Sequence, residues 1–397
     1  MKIDLLDVVS YSRSQPHDQF AWLRNNDPVH WHDEPDGPGF WAVTRYDDVS
    51  AVGRDPQTYS SSPTIMIADS TTPQDGVHQM MLMADPPVHT RMRRLVNREF
   101  TPRATAQMQG HIDGIARGII DAVVERGECD LVTDIAGVMP SFVIADMLGI
   151  PQADGLELYH HTEALHSSSE VIGREAQDAA FAAMYAYAAE TFARKAAEPG
   201  DDLASLIVAS ELDGRPCDEM DFFLWFLLLV DAGGDTTRNL VGGGMQALFE
   251  HPDQLALLMA DIDGVLPAAV EELLRWVSPV IYMRRTVTEP AVLAGQALAE
   301  GDKVVMYYGA ANRDPVHFDE PERLDLLRTP NRHVAFGGGG PHFCLGAHLA
   351  RIEITAILRE LLTRLGNIAP AGEPTWMDSN FIFGPTSLPV SFAATSG

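Results

Sequence analysis

Four consecutive glycines, Gly337 to Gly340, followed by Pro341-His342-Phe343-Cys344-Leu345-Gly346, constrain this chain more than any other stretch. Glycines forgo side-chain packing, so the backbone there must take special angles or lie close against something. The pattern predicts a helix directly after Cys344, from about Leu345 to Leu362. Its first N–H groups would lack intrahelical partners and point at the sulfur, favouring thiolate over thiol. An anionic sulfur at a helix start, under a loop that leaves a flat space, suits an axial ligand to haem iron. Gly346 removes a side chain where the backbone would pass close to that plane. Other readings stay open on these residues alone. A phosphate loop requires Gly-Lys-Ser/Thr after the glycines, and none is present. A dinucleotide fingerprint needs its third glycine where His342 or Phe343 stands. A zinc site would draw on His342, Cys344 and His348, with no fourth ligand evident, and a purely structural turn is the remaining alternative.

The rest of the chain reads as mainly α with a minor β part. Asp85-Pro86-Pro87 opens an Arg-rich helix and Thr101-Pro102 the next. Residues 176 to 197 are Ala-rich and helical. Another helix begins near Pro216 and runs to about Glu250, stopping at His251-Pro252; its first half is apolar on all sides and should be buried. Pro267 starts a shorter helix, Ala268 to Trp276. Strand-like pieces mixed with turns fill the first sixty residues, Phe40 to Val43 among them, and short strands return from Pro279 to Tyr308. No repeat or linker divides the sequence, so residues 1–397 are expected to form one domain. Its β-rich portion lies mainly in 1–60 and 279–308, with the C-terminal strands.

Charge and cysteine usage narrow the function. The formal net charge is −28, with only 28 Lys and Arg. Such a surface repels nucleic acid and anionic lipid. The longest apolar run, Phe222 to Val230, is too short to span a bilayer, and no leader opens the chain, so neither a membrane anchor nor a nucleic-acid partner is expected. Three cysteines, Cys129, Cys217 and Cys344, show no pairing pattern, which fits a reducing cytoplasm. Five of the 28 basic residues nevertheless fall between Arg91 and Arg103. Such a cluster in so acidic a chain suggests a docking patch for an acidic partner, with Arg94 and Arg98, four apart, on one helix face. A solvated basic face is the plainer reading.

Two further segments ask for a reason. Ala232-Gly233-Gly234-Asp235-Thr236-Thr237 interrupts the apolar helix, and each glycine there costs about 1 kcal/mol against alanine. A groove for a small ligand supplies the reason; Asp235 capping a fresh helix is the alternative. Glu272-Leu-Leu-Arg275 reads alone as an i,i+3 ion pair on a solvated face, worth a few tenths of a kcal/mol.

Phe336-Gly337, then His342-x-Cys344-x-Gly346 followed by a helix, resembles the cysteine signature of the cytochrome P450 family. Phe336 stands eight residues before Cys344 where the common form has seven, so this loop carries an extra glycine. The longer loop resembles a bacterial subgroup acting on sterols and methyl-branched lipids. Glu272 and Arg275 resemble the family's Glu-x-x-Arg, and Pro321-Glu-Arg323-Leu the segment whose arginine closes a structural triad with that pair. By resemblance, Asp235 and Thr236 are the acid–alcohol pair: Thr236 hydrogen-bonds the dioxygen and Asp235 relays protons by way of water, while Ala232 and Gly233 leave room for it. His89, Arg93, Arg285 and His342 match the ligands of the haem propionates, and Cys344 the iron ligand. The resemblance implies the P450 fold, a helical prism with a smaller β-rich part, and heme b as cofactor. It further implies a monooxygenase that takes O2 and a small apolar substrate: a lipid, steroid or terpenoid. The length leaves no room for a fused flavin reductase. Ferredoxin with an NAD(P)H-dependent ferredoxin reductase is then the expected electron source. A haem peroxygenase and a non-catalytic haem-binding protein are the rival readings. The loop from Ser60 to Met83, with Met66, Met80, Met81 and Met83, is a candidate for adapting to irregular apolar shapes.

Overall fold

A computed structural model describes residues 2–69, 77–166, 172–212 and 214–394. Its centre is the helix Glu219–Glu250, 32 residues and so about 48 Å long. Asp218 caps it by accepting from the Asp221 N–H, and Asp221 reaches back to the Asp218 N–H, satisfying two otherwise orphaned donors. The expected burial of its first half holds: Phe222, Phe223, Trp225 and Phe226 are all buried. The helix runs without a break through Gly233-Gly234, so Asp235 does not cap a new one. Against it pack Val138–Leu148, Gln152–His166, Arg174–Ala197 and Ile262–Val277. The helix after the cysteine spans Ala347–Arg364 and packs on Gln109–Val123 and Ile262–Val277.

The largest sheet of the β part has five strands in the order Val29–His32, Phe40–Val43, Lys303–Tyr307, Tyr282–Val287, Tyr59–Ser60; a three-stranded sheet holds the C-terminal Leu365–Pro370 and Pro389–Ala394 with Glu128–Asp130. One pairing, Phe40–Val43 with Lys303–Tyr307, is parallel; the others are antiparallel. The sheet thus joins the first sixty residues to the segment 282–307. Alternation along Tyr282–Val287 sends neighbouring arginines to opposite faces. Arg284 holds Asp69 and the Ile67 carbonyl, whereas Arg285 faces the interior cavity described below.

Three sequence expectations need correction. The first sixty residues carry two helices, His17–Asn26 and Tyr46–Arg54, besides their strands. The helix assigned to Ala268–Trp276 begins earlier, at Ile262, because Asp261 caps it by accepting from the Gly264 N–H. Pro267 lies inside it and costs one backbone bond, a loss the buried face of this helix offsets. The third concerns Arg323. Its guanidinium points outward to Glu320 at 3.0 Å and is largely exposed. Glu272 and Arg275 do form a fully buried bidentate pair (2.7 and 2.8 Å), but the arginine that joins them is Arg328, whose Nε lies 3.1 Å and 3.2 Å from the two Glu272 oxygens. Arg323 contributes only its carbonyl, which accepts from Arg275 and Arg328.

Removing one partner of a buried charge cluster costs about 3–5 kcal/mol, while an exposed pair contributes about 0–1 kcal/mol. Arg328→Ala should therefore lower urea-unfolding stability by several kcal/mol and Arg323→Ala by less than about 1 kcal/mol. Equal losses in the two variants would remove Arg328 from the cluster.

Candidate active site

An interior cavity of about 240 Å³ lies between the Glu219–Glu250 helix and the helix that follows Cys344. Ala232, Gly233 and Thr236 line it from the first, Leu349, Ala350 and Glu353 from the second. Cys344 is accessible, but to this cavity. Its N–H donates to the Phe336 carbonyl at 2.9 Å, so the loop between them closes on itself. Gly337, Gly339 and Gly340 all have positive φ, at 99°, 102° and 78°. The lengthened loop is accommodated against the helix Tyr46–Arg54: a Cβ on Gly338 would stand 2.9 Å from the Ser50 Cα, and one on Gly340 2.9 Å from the Arg54 Cα. Only glycine fits that approach. A Cβ on Gly346 would meet no protein atom and would point into open space.

Burial and the helix start act on the cysteine in opposite directions. Burial pushes the Cys344 thiol up; the Gly346 N–H, Arg93 and Arg351 pull the other way without prevailing. The Gly346 N–H favours thiolate as the sequence led one to expect, and desolvation of a charged sulfur opposes it.

One wall of the cavity is basic. His89, Arg93, Arg285 and His342 all line it. The two imidazoles stand 4.1 Å apart, and His342 shares a hydrogen bond of 3.0 Å with Ser61 Oγ. Burial, reinforced by Arg285, His89 and Arg93, lowers His342 to about 2. Burial and then Arg93 lower His89 to about 4. His89 Nδ1 is buried with no hydrogen-bond partner among the described residues. Glu353 is the one acidic side chain among the described residues of the lining, and burial raises it to about 8 although Thr237 bonds to it.

Thr236 faces the cavity, its hydroxyl donating to the Ala232 carbonyl at 3.1 Å. Asp235, one residue earlier, is fully buried and does not reach the cavity wall. Its Oδ1 lies 3.7 Å from Arg238 Nη2, and Arg238 is held in turn by Tyr159 and Glu163. Sequence thus placed Thr236, Ala232, Gly233, His89, Arg93, Arg285, His342, Cys344 and Gly346 around one space, and the structure brings all of them there. Asp235 is the exception. The zinc reading fails: among the described residues the one His/Cys/Asp/Glu cluster tight enough for a metal is His78, Asp218 and Asp221, where Arg215 already bridges both carboxylates.

The sequence profile named cytochrome P450 matches residues 227–387. A methyl-branched lipid omega-hydroxylase of Mycobacterium bovis is 38% identical over 94% of this chain and 90% of its own. A steroid C26-monooxygenase of Mycolicibacterium smegmatis is 36% identical over 99% of this chain and 97% of its own. The solved structure of the Mycobacterium marinum cytochrome P450 CYP268A2 in complex with pseudoionone superposes with a TM-score of 0.92 at 40% identity, covering 99% of both chains. This chain is a cytochrome P450. It has the P450 fold, it is a P450 monooxygenase, and its cofactor is heme b.

The residues present fit that cofactor. Two arginines and two histidines converge on a space that offers them no ionised counter-charge, and an unpartnered imidazole nitrogen is among them. Two carboxylates on a flat apolar body would complete such a wall, with the Cys344 sulfur facing the same space. No single helix among the described residues is long and apolar enough to cross a membrane.

Sequence reasoning missed Glu353, Arg238 and Arg328. Glu353 left one trace: a lone acid between Ile352 and Ile354, four residues after the buried Leu349 and so on its face of the helix. Its folded value of about 8 lies above its ordinary 4.5. Between those values the folded chain binds more protons than the unfolded one, so stability falls as pH rises through the window. Glu353→Gln is neutral throughout and should flatten that fall in thermal melts between about pH 5 and 8. Parallel pH curves for the two proteins would show that Glu353 is ionised when folded.

Proposed function

We propose that this P450 hydroxylates an apolar, lipid-like molecule (a methyl-branched lipid, steroid or terpenoid) using electrons from a ferredoxin and its NAD(P)H-dependent reductase. Cys344 is the haem's axial ligand in this reading, and His89, Arg93, Arg285 and His342 hold its carboxylates. The observation that carries the substrate class is the character of the cavity beyond its basic wall: Met81, Leu82, Ile144, Leu228, Val280 and Met283 face it, with Thr236 as a polar group among them. Met81 and Met283 bring flexible thioethers that suit branched or irregular hydrocarbon. Relatives named for methyl-branched lipid and steroid oxidation support the same class. Three thiols with no bridge among them suit a reducing cytoplasm.

When bound, haem supplies the iron, and the thiolate the electron density, that allow O2 to be cleaved. The balanced reaction, R–H + O2 + 2 e⁻ + 2 H⁺ → R–OH + H2O, then asks this chain for two protons in a cavity with apolar walls. Thr236 stands where they are needed. Rotating its hydroxyl away from the Ala232 carbonyl lets it donate into the cavity and leaves its lone pairs to hold a water. Asp235 precedes Thr236 on the helix and refills the relay through water, with Arg238 beside its carboxyl. The apolar walls exclude bulk water and limit loss of reducing equivalents.

Cys344→Ser should lose the red-shifted Soret band of the reduced carbon monoxide complex and all turnover, whereas Cys129→Ser and Cys217→Ser keep both. Thr236→Ala should retain that band and bind substrate, yet convert NAD(P)H largely into hydrogen peroxide. Asp235→Asn should slow product formation by about 10²–10⁴-fold. A normal band in Cys344→Ser, or wild-type coupling in both relay variants, would end this reading.

The ferredoxin is proposed from the arginine patch. Arg94 is exposed and borders a second opening with Arg93, Asn97, Gly340 and Pro341, next to the cysteine loop. Arg98 is 92% exposed, but the helix stops at Val96, so it sits on a following 3₁₀ turn rather than on the same helix face. Exposed charges act on association and are screened over about 8 Å at physiological salt. Arg94→Glu combined with Arg98→Glu should raise the KM for ferredoxin several-fold and leave the carbon monoxide spectrum and substrate affinity intact. Unchanged ferredoxin dependence with haem fully bound would place the partner elsewhere.

A further inference from the structure

Two successive carboxylates of the Ile262–Val277 helix divide their partners. Glu272 holds Arg275 and Arg328; Glu271 holds Arg351 and His333. The Glu271 contact to Arg351 is bidentate, at 2.6 Å to Nε and 2.8 Å to Nη2, and burial notwithstanding, these bonds hold Glu271 down at about 2. His333 Nε2 is 3.0 Å from the same carboxylate, while its Nδ1 accepts the Ala335 N–H at 3.2 Å. An imidazole that accepts at Nδ1 carries its hydrogen on Nε2, so His333 is a neutral donor. The cluster therefore contains one positive and one negative charge.

The positive charge lies against the cysteine loop. The Arg351 guanidinium stacks over the Phe336 ring, 4.5 Å from its centroid, and Arg351 Nη1 donates to the Ala347 carbonyl at 3.0 Å. Phe336 lines the cavity, and its carbonyl accepts the Cys344 N–H. His333 also packs near Phe336, ring centroids 5.9 Å apart. We infer that Glu271, His333 and Arg351 are positioning residues that set the electron affinity of the haem through Phe336 and the cysteine loop. This rests on the reading in which Cys344 holds the haem.

The sign of the effect follows from charge. Reduction adds an electron next to an already anionic sulfur, so a nearby cation favours the reduced form and a nearby anion opposes it. Arg351 supplies the cation and Glu271 balances it from the far side of the guanidinium. Both groups are 30% exposed, so solvent and salt damp the effect without abolishing it.

Equilibrium redox titration of the haem-loaded protein tests this. At a fixed potential Arg351→Gln should lower the ratio of reduced to oxidised haem by about tenfold, equivalent to 59 mV for a one-electron couple. Glu271→Gln should raise that ratio, the double variant should return close to wild type, and Arg351→Lys should stay within about threefold of wild type. A cluster that only braces the loop predicts something different: both single variants would shift the same way and the double variant would be worst. That result, or unchanged ratios in both with an intact carbon monoxide band, overturns the inference. Should Arg351→Gln fail to take up haem, the direction of the Glu271→Gln shift and the behaviour of Arg351→Lys decide it. Failure of the underlying reading is visible separately, as a carbon monoxide band that survives Cys344→Ser.

Discussion

The Glu272 carboxylate receives donors from four other positions of the chain: the Arg275 and Arg328 guanidinium groups, the Asn331 amide at 3.0 Å and the Asp325 N–H at 3.0 Å. A buried carboxylate is tolerated only with such saturation, because removing it from water without partners costs several kcal/mol. Arg275 then passes the constraint on, donating to the Asn312 and Pro321 carbonyls at 2.9 Å each. Asn312 continues it through its own side chain, which accepts from the Val334 N–H at 2.7 Å. From Asn312 to Gly346 the backbone forms no helix or strand, so its path cannot come from regular hydrogen bonding. One ion cluster on a rigid helix fixes that path and delivers Phe336 and Cys344 to the cavity.

The cavity itself carries an unbalanced charge. A buried arginine, Arg285, a half-buried one, Arg93, and two imidazoles forced neutral face a space whose one carboxyl among the described residues, Glu353, keeps its proton near pH 7. Elsewhere in this strongly acidic chain buried cations have carboxylate partners: Lys303 has Glu34 and Asp69, Lys195 has Asp202, Arg238 has Glu163. The cavity wall departs from that habit, and a cofactor with two carboxylates restores it. Cofactor binding and folding are coupled for the same reason, since the fold bears the cost of gathering these cations until the anions arrive.

How far this was legible from sequence depended on whether the chemistry was contiguous. The cysteine loop compresses its glycines, histidine, sulfur and helix start into about a dozen residues, and each element reports on the next. That Ala232, Gly233 and Thr236 line a cavity was legible likewise, from glycines and polar groups inside an apolar helix, whereas the direction of Asp235 was not. Arg323 and Arg328 show the limit. Both lie in irregular backbone, where no period relates position to side-chain direction, so a local segment could not tell which arginine turns inward. Pro267 misled because a capping aspartate six residues earlier outweighed it. The short helices His17–Asn26 and Tyr46–Arg54 were hidden among turn signals, and tertiary contact with the sheet, not propensity, sustains them. Burial of the cysteine was hidden for a similar reason: a helix start is visible in sequence, whereas the depth of burial that opposes it is not.

Asp235 and Thr236 pose a geometric problem that a motif conceals. Adjacent residues on a helix point about 100° apart, and here Thr236 faces the cavity while Asp235 turns away from it. The structure resolves this by giving each side chain its own resting partner. Thr236 donates to the Ala232 carbonyl within its helix, and Asp235 faces Arg238, which Tyr159 and Glu163 fix from the neighbouring helix Gln152–His166. At 3.7 Å the Asp235–Arg238 contact is longer than a direct hydrogen bond, and Arg238 makes its closer contacts with the other two partners. Glu163, a quarter exposed, meanwhile carries the network outward to solvent. The same cluster thus keeps Asp235 off the cavity wall and links it, through Arg238 and Glu163, to a partly exposed position on the neighbouring helix.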